Sequence, residues 1–288
     1  MEIYLVDYDK NFTQYLEKWV TDNMNNYKNS DDMEMDMPNV YTKWLNTPAS
    51  WLNNKTPGSY FKQFDDAHAL VKLLLRYIST GTGIPEPLMD RIIELSDESI
   101  PVLKQVFTGE IPLQDNRRIN EVRTLIVNLL AEMDDNSLLD EYAILLTQPN
   151  IEDSLVGVII ERLSMESQTK DILLNTLKEV DNNAIIMRFI DILVNFYGDS
   201  RILKWILYMF ERDESNTALL ASYLGKYGDE AAIPYLREAL DYEDINYLDY
   251  LEVRNAIEEL GEIVEHVREF DGDSYYESLK GLDGAEEE

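Results

Sequence analysis

An all-α protein is the expectation from this sequence, and three observations carry it. Apolar residues recur at helical spacing over most of the chain. Short Asp/Asn/Ser/Gly breaks separate those stretches. The stretches themselves repeat with a period in the low thirties. From Ile119 the apolar positions are Ile119, Val122, Leu125, Ile126, Leu129 and Leu130. Their steps of three and one trace a helix face and not the alternation of a strand.

Similar segments follow at Leu155–Leu163, Ile172–Val180, Ile185–Phe196, Ile202–Phe210, Leu219–Tyr227, Ile233–Leu240 and Val253–Val264. The breaks, such as Asp134-Asp135-Asn136-Ser137, Asp181-Asn182-Asn183, Gly198-Asp199-Ser200 and Gly228-Asp229, suit N-caps and helix stops. Residue pairs six apart recur as Arg123 with Leu129, Gly157 with Leu163, Arg188 with Val194, Ala218 with Leu224, and Arg254 with Leu260. The first members are separated by 34, 31, 30 and 36 residues. Two helices per unit at this period form an α-solenoid, because one helix pair cannot cover its own apolar face and must stack on the next.

The run Tyr223-Leu224-Gly225-Lys226-Tyr227-Gly228-Asp229-Glu230-Ala231-Ala232-Ile233-Pro234-Tyr235-Leu236-Arg237-Glu238-Ala239-Leu240 resembles the short HEAT repeat found in phycobilin lyases and many bacterial proteins. Val253-Arg254 and Val122-Arg123 match the start of that repeat's second helix. The acidic residue the family often carries six before the Arg is replaced here by Leu248 and Arg117. The resemblance implies an all-α, right-handed α-solenoid of about five HEAT-like helix pairs, preceded by an irregular N-terminal helical region. The expected organisation is a helical region over 1–115, repeats over 116–268 and an acidic tail over 269–288, in which Tyr275, Tyr276 and Leu279 dock a short helix before a flexible end.

The N-terminal region holds Trp19, Trp44 and Trp51, three of the four tryptophans. Asp9 suits the cap of a helix from Lys10 to about Asn26, with Phe12, Tyr15, Leu16, Trp19 and Val20 on one face. The acidic run Asp31–Pro38 reads as a loop. Thr56-Pro57 suits a helix start, and Asp66–Thr80 a longer helix stopped by Gly81 and Gly83. Residues 41–81, with Trp44-Leu45-Asn46-Thr47-Pro48, Trp51, Thr56-Pro57 and the Leu-rich stretch ending at Gly81, are similar to the toxin-binding domain of Xre/MbcA/ParS-type antitoxins. The family's glycine before Thr-Pro is replaced by Asn54-Lys55.

Composition narrows the function. The 288 residues carry 25 Lys+Arg and 56 Asp+Glu, a formal charge of −31, with 45% hydrophobic residues. That is enough apolar material for a core, but nucleic acid and anionic membranes are disfavoured as partners. No apolar run reaches the length of a membrane span, and the first residues lack a basic leader, so a cytoplasmic protein is expected. With no Cys, disulfides, thiolate catalysis and Cys-ligated zinc are excluded. His68 and His266 are the only histidines, and neither forms a His-Glu pair of the kind HEAT-repeat di-iron hydroxylases use. GxGxxG, the P-loop, GxSxG and HExxH are absent. Asp271-Gly272-Asp273-Ser274 lacks the spacing of a calcium loop. Asp31, Asp32, Glu34 and Asp36 read as a solvated loop and not as a cation site. The expected cofactor set is therefore none, and no catalytic or metal residue is assigned.

One segment departs from the repeat. Between Leu240 and Val253 about six residues are extra, and Tyr242, Tyr247 and Tyr250 alternate there with acids including Asp249 and Glu252. Insertions in repeat arrays gather on one face, often the binding face. Tyr242, Tyr247, Asp249, Tyr250 and Glu252 are therefore the candidate partner-binding residues. The expected function is a non-catalytic interaction scaffold for a basic protein or peptide, an immunity or antitoxin-like role being one form of it. The alternative is a ligand-binding or lyase-type HEAT-repeat protein with a small-molecule pocket.

Overall fold

The computed structural model describes residues 3–109, 111, 113, 115–265 and 268–283, and it is all-helical. Sixteen α-helices are found among the described residues: α1 (Tyr8–Asn23), α2 (Ser30–Met35), α3 (Met37–Leu45), α4 (Ala67–Thr80), α5 (Glu86–Glu94), α6 (Ser96–Thr108), α7 (Asn116–Glu132), α8 (Leu139–Leu146), α9 (Asp153–Ser164), α10 (Thr169–Thr176), α11 (Asn183–Leu193), α12 (Ser200–Phe210), α13 (Thr217–Tyr227), α14 (Ile233–Leu240), α15 (Tyr247–Glu259) and α16 (Ser274–Asp283). A single bridge between Ala49 and Lys55 is the extended pairing seen among these residues. None of the helices is long and apolar enough to cross a membrane. The helices group into two compact units. One comprises Met1–Leu138 with Glu152–Ile159, the other Leu139–Ile151 with Ile160–Glu288. His266 and the chain end after Asp283 lie outside the described residues.

The first unit is organised by aromatic side chains. Tyr8 meets Trp44 and Trp51 edge-on, each at 5.7 Å, and stacks on Phe61 at 5.9 Å. Its hydroxyl donates to the Pro57 carbonyl at 3.0 Å, and burial pushes its pKa well above the ordinary phenol value. Tyr77, in the apolar stripe of α4, donates to the Val6 carbonyl at 2.8 Å and accepts from the Val6 N–H at 3.1 Å. These bonds anchor the N-terminal segment.

Two local expectations change. The cap of α1 is Asp7, which accepts from Lys10 N at 2.9 Å, so the helix begins at Tyr8. The acidic run 31–38 is not a loop. Asn29 caps α2, Asp31 and Asp32 occupy its first turn where the helix dipole favours acids, and Pro38 sits at the start of α3. Pro87 likewise sits at the start of α5. Asp66 caps α4, and Gly81 ends it at φ +69°, a left-handed conformation that favours glycine.

In the second unit, several side-chain hydrogen bonds join residues 30 to 32 positions apart. Arg201 reaches Asp171 at 2.7 Å, a separation of 30 residues. Lys226 reaches Asn195 at 2.9 Å, a separation of 31, and Tyr223 donates to Asp191 across 32. The N–H of Ala218 donates to Asp249 at 3.0 Å, again 31 apart. Helix α13 packs along α15 more extensively than any other described pair. The close approach needs Gly225, where a β-carbon would stand 3.0 Å from Ala256 Cα.

Candidate partner-binding groove

The extra residues after α14 divide between a short loop and the first turns of α15. Asn246 caps α15, its side-chain oxygen accepting from Asp249 N at 2.9 Å while its amide donates to Asp249 Oδ2 at 2.6 Å. The other Asp249 oxygen takes the Ala218 N–H, so one carboxylate ties together the N-terminal ends of α13 and α15. The loop is held from the other side by Arg268. Its guanidinium donates to the Tyr242 carbonyl at 2.7 Å and the Glu243 carbonyl at 2.6 Å, and lies over the Phe270 ring at 5.3 Å.

This arrangement leaves a groove of about 520 Å³ between the 241–246 loop and the end of α12 with its following turn. Phe210, Ala239 and Ile245 supply apolar lining. Glu211, Glu214, Glu243, Asp244 and Asp249 supply carboxylates, and Tyr242, Thr217 and Asn246 complete the wall. Among the described residues none of these five carboxylates forms an ion pair. A cation entering here meets several uncompensated negative charges beside a low-dielectric surface, where Coulomb attraction is less screened than in water.

The five candidate residues are not brought to one place. Tyr242 is 55% exposed and lines the groove, as does Asp249, which is also committed to the two helix ends. Tyr250 is only 5% exposed and packs against Phe270 at 4.9 Å; it is part of the core. Tyr247 turns the same way, with Tyr276 at 4.8 Å and Phe270 at 5.4 Å. Asp273 receives the N–H groups of Tyr276, Tyr247 and Tyr275, which hold its carboxyl below the ordinary range. Glu252 is half-buried on α15 and does not line the groove. Glu211, Glu214 and Thr217 escape a motif search because each is an ordinary residue in its own turn. Subtracting one period of 31 from Tyr242, Ile245 and Leu248 gives these three positions.

Other candidates hold no such geometry. His68 is exposed in the first turn of α4. Asp36 accepts from Tyr27 at 2.5 Å and from Asn39 at 2.7 Å, bonds that order the α2–α3 turn. No three His, Cys, Asp or Glu side chains converge in a metal-holding group among the described residues. Comparison with family models, curated proteins and solved structures finds no match.

Proposed function

We propose that the second unit is an α-solenoid of HEAT-like helix pairs that works without catalysis as an interaction scaffold, and that its acidic groove takes a basic protein or peptide. The observation that carries this reading is the groove itself: five carboxylates without ion-pair partners, set beside apolar lining from Phe210, Ala239 and Ile245. Helix pairs bonded at separations of 30 to 32 residues support the repeat reading. A chain charge of −31 supports a cationic partner, because the field accelerates encounter with positive surfaces and opposes acidic ones.

A labelled oligo-arginine peptide titrated with the chain and followed by fluorescence anisotropy tests the reading. Glu214→Gln, Glu243→Gln and Asp244→Asn together are expected to weaken binding at least about tenfold, the value of one lost strong charge contact. Binding unchanged by that triple substitution would remove the groove from the proposal. A small molecule that co-purifies with the chain, with no peptide binding, would favour a ligand pocket instead.

A further inference from the structure

An aromatic residue stands among the carboxylates of the groove. Tyr242 lines it and is 55% exposed. The backbone of Tyr242 is fixed on both sides. Its N–H donates to the Ala239 carbonyl at 3.3 Å, and its carbonyl accepts from the Ile245 N–H at 3.4 Å and from Arg268 at 2.7 Å. Its side chain is not fixed. Tyr247 and Tyr250, the other tyrosines of the segment, pack against Phe270, but among the described residues the Tyr242 ring meets no other ring or cation and its hydroxyl makes no hydrogen bond. The carboxylates of Glu211, Glu214, Glu243 and Asp244 are likewise without a hydrogen bond or an ion pair among these residues. The chain's own neighbouring guanidinium groups are placed elsewhere: Arg212 lies over the Tyr208 ring at 4.8 Å and Arg268 over Phe270 at 5.3 Å.

We infer that the residue the groove takes from its basic partner is an arginine, the face of its guanidinium lying on the Tyr242 ring while its edge donates to the groove's carboxylates. This deepens the proposed function and rests on it. Donor geometry decides between the cations. A guanidinium is planar, is more weakly hydrated than an ammonium and carries its N–H donors in its plane, so it stacks by its face and donates by its edge at once. A lysine ammonium is a compact, strongly hydrated point charge, which gains the Coulomb attraction of the carboxylates and little from a single ring. A quaternary ammonium uses the ring but has no N–H for the carboxylates. A second copy of this acidic chain is opposed by like charge. The fixed backbone at Tyr242 spares part of the ordering that such a contact otherwise costs.

A labelled oligo-arginine and a labelled oligo-lysine of equal length and charge separate the inference from the reading beneath it. The native chain is expected to bind the arginine peptide about fivefold more tightly. Tyr242→Leu should bring that preference below about twofold by weakening the arginine peptide, with the lysine peptide's Kd unchanged. Tyr242→Phe keeps the ring and should keep the preference. The groove triple substitution should weaken both peptides. Equal affinity of the native chain for the two peptides, a preference that survives Tyr242→Leu, or one that is lost in Tyr242→Phe overturns the inference and leaves the acidic-groove reading standing. Failure of both peptides to bind overturns the two together. Tyr242 is held through its backbone, so circular dichroism and melting temperature of both variants are expected to match the native chain and show that the change is one of surface.

Discussion

Asp191 and Asp199 lie eight positions apart in the second unit, and their surroundings drive their acidities in opposite directions. Asp191 is held between α11 and α13, where burial raises its pKa and the bond from the Tyr223 hydroxyl offsets only part of that. Asp199 caps α12 and takes Arg201 at 2.6 Å and Lys170 at 3.2 Å. The Arg201 hydrogen bond, first among the causes, holds it far below the ordinary carboxylate value. A raised folded-state pKa means that the native state binds the proton more tightly than the unfolded chain, so the Asp191 charge costs stability above that raised value and the cost is relieved as pH falls through it. Asp191→Asn should therefore raise the melting temperature at about pH 8, with the gain shrinking toward about pH 4. For Asp199 the sign reverses: its contribution is present above the ordinary carboxylate pKa and disappears as pH falls through the lowered one. Asp199→Ala should cost about 1 kcal/mol at neutral pH from the lost cap alone, read by urea denaturation, with the difference from the native chain narrowing in strong acid. The cap at Asp199 follows from its place in the Gly198-Asp199-Ser200 break, but its ion pair with Lys170 and the burial of Asp191 between two helices depend on residues about 30 positions away and are not legible in the sequence. Tyr250 is a different case. It shares a stripe with Val253 and Ile257 at helical spacing, so its burial follows from the same periodicity that reveals the helices, once α15 is known to begin at Tyr247.

Helices are the most legible level, and their ends the least. The seven apolar segments from Leu155 onward each overlap a helix of the structure, since a 3.6-residue stripe sustained over several turns suits a helix and cannot line one face of a strand. The short α2 leaves no such trace because its charge-rich turns have no apolar stripe; it is held by Asn29 and the acids of its first turn, whereas α3 opens with Pro38 and buries Val40 and Trp44 at helical spacing. What a glycine does inside a helix is equally hidden, and two of them differ sharply. At Gly225 a β-carbon would meet Ala256 Cα at 3.0 Å and Cβ at 3.2 Å, whereas at Gly157 nothing lies within 4 Å. Gly225→Val should therefore destabilise the second unit by about 1–3 kcal/mol through overpacking. Gly157→Ala should stabilise α9 by about 0.5–1 kcal/mol through helix propensity. Chemical denaturation of the two variants checks both signs; stabilisation of the chain by Gly225→Val would mean that α13 and α15 do not approach this closely. The loop beside the groove depends on Arg268 in the same element-level way. Arg268→Ala removes both donors to the Tyr242 and Glu243 carbonyls, so hydrogen exchange should accelerate across residues 241–246 while helix content stays constant.

At the scale of the whole molecule the question is whether the acidity recognises something or only keeps the chain in solution. A charge of −31 repels itself, so added salt should raise the melting temperature whatever the function. That observation alone cannot distinguish the two roles, but position can. Between about 50 and 300 mM salt the screening length falls to less than about 10 Å, so a bound cation responds chiefly to the carboxylates next to it. Glu214→Gln, Glu243→Gln and Asp244→Asn change the charge from −31 to −28, since −31 + 3 = −28. Glu17→Gln, Asp22→Asn and Glu132→Gln, three exposed acids on α1 and α7, change it by the same amount. If the field of the whole chain does the work, the two triple variants should bind a basic peptide equally weakly at low salt. If the groove does the work, the first should lose about tenfold or more and most of its salt dependence, while the second stays within about twofold of the native chain near physiological salt. Titrations of the two variants at both salt concentrations therefore separate a recognition surface from a solubilising one.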